Sequence, residues 1–109
     1  MIEVRLHPGT SIVLKPRGNL EWTNAMALLR LVSAAVPSRA EVIFDLGDVD
    51  RIGAVGLSAL VGSVRRVRAS GGTALVTNAH LQVQRRIELV GVQERPASRA
   101  RTDRLGPAA

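Results

Sequence analysis

Asp45, Asp48 and Asp50 stand close together, followed at once by Gly53-Ala54-Val55-Gly56 and the hydroxyl of Ser58, and this is where the chain's side chains could do chemistry. Three carboxylates at this spacing could hold a divalent cation. The run lacks the central glycine and the terminal glutamate of a calcium loop, however, and Asp45 falls at the end of an apolar strand pattern, so no metal is expected. Gly53-x-x-Gly56 could let backbone approach a phosphate, but no Lys and Ser/Thr follow at P-loop spacing, and the segment reads as a turn opening a helix. His7 and His80 are isolated and the chain has no Cys, which excludes a thiolate or Cys/His zinc site. No Ser/His/Asp or Cys/His pair has supporting context. The reading is therefore a non-enzymatic protein without a catalytic residue or a cofactor. Arg65, Arg66 and Arg68 would form a basic patch with Arg85 and Arg86 if their helices are neighbours, and are otherwise the solvated faces of two helices.

The elements that must position these residues are legible in the hydrophobic pattern. Ile2, Val4 and Leu6 alternate with Glu3 and Arg5, His7-Pro8-Gly9-Thr10 breaks the run, and Ser11 to Lys15 follows, which is a hairpin pattern. Pro16 has no N–H for a ladder, so the second strand should end or bulge there. Trp22, Ala25, Met26, Leu29, Val32 and Val36 recur at spacings of three and four before Pro37, predicting a helix with those residues on its apolar face and Thr23 or Asn24 as N-cap. Val42-Ile43-Phe44 is a continuous apolar run suited to a central strand buried on both faces. Leu57, Leu60, Val61, Val64 and Val67 form the stripe of an amphipathic helix, and Gly71-Gly72 can supply its left-handed cap. Thr73 to Thr77 make a further strand, and Val83, Ile87 and Val90 mark a last helix stopped by Gly91. The order strand, strand, helix, strand, helix, strand, helix predicts an α/β fold: a four-stranded, mostly parallel sheet with an N-terminal antiparallel hairpin, packed against helices.

The chain's 109 residues give room for one core, and its apolar share of 46% is ordinary for a globular domain. Residues 1–94 are expected to form the domain. Residues 95–109 hold four arginines, one aspartate and little to bury, and are read as a disordered tail. Such a tail is either a solvated terminus or a nucleic-acid arm, and with one Trp, one Phe and no Tyr the domain offers few platforms for stacking bases. No N-terminal signal or membrane-spanning run is present, so the expected location is cytoplasmic.

Taken in order, these segments resemble the STAS family of anti-sigma-factor antagonist domains. Gly18-Asn19-Leu20-Glu21 is similar to the family's Gly-x-Leu-Asp, with Glu21 one methylene longer. Asp45-Leu46 is similar to its strand end, and Gly53-Ala54-Val55-Gly56-Leu57 stands where the family has Asp-Ser-Ser/Thr-Gly-Leu. Gly71-Gly72 and Arg86-Ile87-Glu88-Leu89-Val90-Gly91-Val92 follow in the family's order, and the likeness runs from Ile2 to about Gln93. The resemblance implies a bacterial signalling module whose partner-binding edge lies around the second helix's start, here Glu21, Gly53, Ala54, Val55, Gly56, Leu57 and Ser58. It also implies that the residue before that helix's Gly is a Ser or Thr modified by an anti-sigma kinase. That residue here is Val55, Ala54 precedes it and Gly53 replaces the carboxylate, so no phosphorylation is expected at the usual site. Ser58 has a hydroxyl at a different position, where a plain helical Ser is the commoner case. Val55 is either a contact or turn filler, Leu57 a contact or core, and Glu21 a contact or a residue suited to a helix's positive end. The implied partner is an anti-sigma factor of serine-kinase ATPase type, with self-association or related STAS chains as further partners. A subunit of a transport or signalling assembly, or a small-ligand sensor using Gly53 and Gly56 for close backbone approach, are the alternatives.

Overall fold

The computed structural model describes residues 1–6 and 11–89. In chain order they form β1 (Ile2–Leu6), β2 (Ser11–Pro16), β3 (Gly18–Leu20), α1 (Trp22–Ala35), β4 (Glu41–Asp45), β5 (Val49–Ile52), α2 (Ala54–Ala69), β6 (Thr73–Thr77) and α3 (Leu81–Leu89). The hairpin connection, the predicted stop at Val90-Gly91 and the Arg-rich tail lie outside the described residues.

A four-stranded sheet runs in the order β1-β2-β4-β6. β1 pairs antiparallel with β2, which ends at Pro16, and β2, β4 and β6 are parallel. The mostly parallel sheet with its antiparallel first pair is the predicted α/β architecture. β4 lies inside the sheet, and Val42, Ile43 and Phe44 are all buried, as the unbroken apolar run requires. Two successive crossovers in one direction put α1 and α2 on the same face. Leu28 and Val32 of α1 and Leu60, Val64 and Val67 of α2 there close over Leu14, Val42, Phe44, Ala74 and Val76. α3 adds Val83 and Ile87 to the same core.

Beside this sheet lies a second one, absent from the sequence pattern: β3 and β5 pair in parallel, with Gly18 opposite Val49 and Leu20 opposite Ile52. Leu20, Val49 and Ile52 are buried and seal one end of the core. The turn leading to β5 is built by Asp45, whose Oδ1 accepts from the Gly47 N–H at 2.9 Å and from Asn78 Nδ2 at 3.2 Å. Asp48 pairs with Lys15 and Arg17, each at 3.6 Å. Arg17 also reaches Glu3 at 2.6 Å, and hydrogen bonds from Arg5 and then Arg17 hold the Glu3 carboxyl below its usual range. The three aspartates that suggested a cation site thus include a turn-former and a salt-bridge partner. Among the described residues no group of three or more His, Cys, Asp or Glu converges.

Helix ends follow local chemistry. α1 stops at Val36, whose extended backbone suits a residue before Pro37. α2 closes in a Schellman turn: the Gly72 N–H donates to Val67 O, the Gly71 N–H donates to Arg68 O, and Gly71 has φ +86°. Gly71→Ala is expected to cost about 1–2 kcal/mol, because alanine must take the left-handed conformation there and its Cβ would meet Arg39 Cγ at 3.2 Å. A urea midpoint equal to that of the native chain would contradict this. The predicted N-cap of α1 is corrected: Glu21 holds that place and makes no side-chain cap hydrogen bond. Thr23 and Asn24 lie within the first turn, and the Asn24 amide is engaged with Arg17 O and Asn19 O. Among the described residues no helix is long and apolar enough to cross a membrane.

Candidate functional site

The small β3–β5 sheet fixes the geometry of the predicted site. Leu20 ends one strand and Ile52 the other, and the next residues, Glu21 and Gly53, are the N-caps of α1 and α2. The Gly53 N–H donates to Leu20 O at 3.1 Å, so the two helices start side by side. Glu21 leans toward its neighbour, and a Cβ placed on Gly53 would stand 3.4 Å from Glu21 Cγ. Neither cap gives a side-chain hydrogen bond and neither first turn holds an acidic residue, and the Glu21 side chain lies beside the amide end of α2 at Gly53.

From this start the helices run together. Leu29 touches the space over Gly62, with its Cδ2 3.5 Å from where a Cβ would be. One turn further, Ser33 and Arg66 border the same cavity of about 420 Å³ between the helices' C-terminal ends. The Leu29–Gly62 contact has the same offset in the chain as the Gly53 to Leu20 hydrogen bond. Carried back two turns from Leu29 and Gly62, it sets Trp22 opposite Val55, beside the Glu21–Gly53 contact.

The structure divides the seven predicted site residues. Glu21, Ala54, Val55 and Ser58 are open to solvent, with Val55 at 38% exposure. Gly53 is half-buried. Leu57 is also half-buried and packs against the core. Gly56 is fully inside: a Cβ there would fall 1.8 Å from Leu20 O. The expectation that Gly56 lets a ligand approach is therefore corrected, because the approach it permits is that of the chain's own β3. Gly53 is likewise flanked by the Glu21 side chain, so an anion at this helix start would face a carboxylate.

Trp22 is a further correction. Its helical spacing suggested core, yet it is 68% exposed. As the first residue of α1 it stands one turn before Ala25, the first buried position of the helix. The signal available in the sequence was its place directly after Gly18-Asn19-Leu20-Glu21. Of the two readings of Arg65, Arg66 and Arg68 with Arg85 and Arg86, the arrangement favours separate helix faces. α3 packs on β5, and Arg86 borders a shallow cavity with Asp50, Arg51 and Gln82, whereas Arg66 borders the α1–α2 cavity.

A family model described as the STAS domain matches residues 1–103. A proposed anti-sigma factor antagonist from Thermotoga maritima is similar in structure at TM-score 0.76 and 18% identity, over 94% of this chain and 92% of that one. The anti-sigma factor antagonist SpoIIAA is similar in its unphosphorylated form at TM-score 0.70 and 14% identity, over 96% and 97% of the two chains. Its phosphorylated form, from Bacillus, gives 0.73 over 96% and 99%. At these identities the likeness is one of fold. Mglu shares 26% identity at TM-score 0.58 over 70% of this chain. The chain spans 18% of Mglu and 14% of the murine anion transporter Slc26a9, which it matches at TM-score 0.64 and 17% identity. No curated protein matches the chain in sequence.

Proposed function

We propose that this chain, which belongs to the STAS domain family, is a non-enzymatic interaction module that binds an anti-sigma factor of serine-kinase type and so regulates sigma-dependent transcription in the bacterial cytoplasm. The module carries no phosphorylation switch at the family's usual place. The observation that supports this is Val55, an apolar side chain open to solvent where the motif has its hydroxyl, with Ala54 and Ser58 exposed beside it and Glu21 across from Gly53. SpoIIAA exists in phosphorylated and unphosphorylated forms. A phosphate adds about −1.5 to −2 charges and disrupts an apolar contact. An unchargeable Val55 would keep the surface permanently in the uncharged state. Control would then come from abundance or from competition with phosphorylatable relatives. Ser58 remains an exposed helical Ser in this reading.

The test is calorimetric titration of the protein against each anti-sigma kinase of its own cell, with ADP or ATP, followed by intact-mass measurement. Saturable binding to one kinase with no phosphate added to this chain is expected. No binding to any of them would overturn the proposal and favour a subunit of a larger assembly. The exposed edge strand β1, with Val4 and Leu6 uncovered, suits that second reading.

A further inference from the structure

We infer that the outward face of the α1–α2 pair is a docking surface for an acidic protein segment with an apolar centre, anchored on Trp22 and Val55. This rests on the preceding reading for the place of contact, and it adds the chemistry of the partner.

Three observations carry it. First, Trp22 and Val55 are both exposed, and the offset of the Leu29–Gly62 contact and of the Gly53 to Leu20 hydrogen bond sets them opposite each other where the two helices start. Trp22 is mostly exposed, and Trp is among the residues most enriched at the hot spots of interfaces. Second, half-buried Met26 and Leu29 continue the apolar stripe down the groove, while Ala54 and Ser58 present small side chains that let another backbone come close. Third, the charge of the helical layer has one sign. Neither helix contains Asp or Glu, and both contain arginines: Arg30 on α1 and Arg65, Arg66 and Arg68 on α2. Helical spacing places Arg30 beside the stripe of α1, and puts Arg65 on the outward row of α2 with Ala54 and Ser58. Arg30, Arg65 and Arg66 are exposed, and none of them is in a salt bridge among the described residues. Glu21 supplies the face's single carboxylate, at its extreme end. A partner that covers Trp22 and Val55 therefore brings its flanks against unpaired arginines. Carboxylates there would be drawn in, and lysines would be repelled.

Trp22 is the only tryptophan, so its emission reports the site directly. Two probes are used. The first is a capped amphipathic helical peptide with leucines along one stripe and glutamates on both flanks, compared with the same peptide carrying lysines. The second is the set of anti-sigma kinases of the same cell. The glutamate peptide is expected to shift Trp22 emission to the blue, with an affinity that falls as salt is raised, and the lysine peptide to leave it unchanged. The triple variant R30E/R65E/R66E should reverse that preference. For any kinase that binds, Trp22→Ala should weaken binding about thirty-fold or more in calorimetry while leaving the urea midpoint in place, since the side chain is exposed. Absence of an emission shift with the glutamate peptide, or equal shifts with both peptides, overturns the inference. So does a kinase whose affinity survives Trp22→Ala and the arginine reversals, an outcome that leaves the proposed function standing. A shift with the glutamate peptide but no binding by any kinase supports the acidic docking surface and removes the kinase reading alone.

Discussion

Gly56→Ala is expected to abolish the cooperative fold of this domain, or to leave it with a urea midpoint near zero. The added Cβ would stand 1.8 Å from the Leu20 carbonyl oxygen and 2.7 Å from its carbon. Those are backbone atoms of β3, and they cannot rotate aside as a side chain would. Relief requires lifting the first turn of α2, which strains the Gly53 N–H to Leu20 O bond and loosens Leu20 and Ile52 from the end of the core. A rearrangement of that kind belongs among the costs of about 4 kcal/mol or more that mark severe substitutions. A whole domain has only about 5–15 kcal/mol to lose. Gly53→Ala is the internal comparison, one turn earlier on the same helix. Its Cβ would meet the Glu21 side chain, Cγ at 3.4 Å and Cδ at 4.0 Å, which are ordinary contacts, and its φ of −85° suits any residue. Urea unfolding followed by circular dichroism should therefore show Gly53→Ala close to the native chain and Gly56→Ala far below it. Equal midpoints would mean that α2 does not seat on β3 as described.

The same pair of glycines shows what could be read from the sequence and what could not. Their spacing located a turn and a helix start correctly, but one alternative took both as room for a ligand. The space over Gly56 is filled by a strand too short to register as one: Gly18–Leu20 and Val49–Ile52 are three and four residues long, and their pairing is with each other, far apart in the chain. Alternation over so few residues carries little information, whereas the hairpin, the apolar run of β4 and the stripe of α2 are long enough to declare their period. The Gly71 cap was legible because a single residue type answers a single backbone requirement. The N-cap of α1 was not, because the chain passes straight from β3 into the helix and places Glu21 there whatever its capping preference. Trp22 was placed on the apolar face of α1 by periodicity, which gives a side chain's angle around a helix but not whether other residues cover it there. The predicted site residues therefore divide by depth: Gly56 is buried, Gly53 and Leu57 are half-buried, and Glu21, Ala54, Val55 and Ser58 are exposed, joined by Trp22.

That division predicts that Val55→Glu removes partner binding while leaving the fold intact. Val55 is open to solvent in the first turn of α2, so a carboxylate there loses little packing and gains about 0.3–1 kcal/mol from the helix's amide end. The urea midpoint should stay close to that of the native chain, because repulsion from the nearby Glu21 carboxylate offsets this gain. At a contact built on Trp22 and Val55 the same carboxylate must be stripped of water against an apolar partner, with the Glu21 carboxylate close to Gly53. Desolvation and like-charge repulsion together amount to several kcal/mol, so a loss of affinity of about a hundred-fold or more is expected for whichever kinase binds the native chain. Val55→Ser separates the steric from the chemical part of the argument. It should bind with a modest loss and, held where the hydroxyl of a phosphorylatable relative would be, gain one phosphate from the kinase and ATP, after which binding should fall to the level of Val55→Glu. Intact mass and calorimetry on the same samples read both steps. If Val55→Glu binds as tightly as the native chain, the partner does not use the start of α2. If Val55→Ser binds but is never labelled, the kinase approaches this surface in a different orientation, and the likeness to a phosphorylatable antagonist extends to the frame alone.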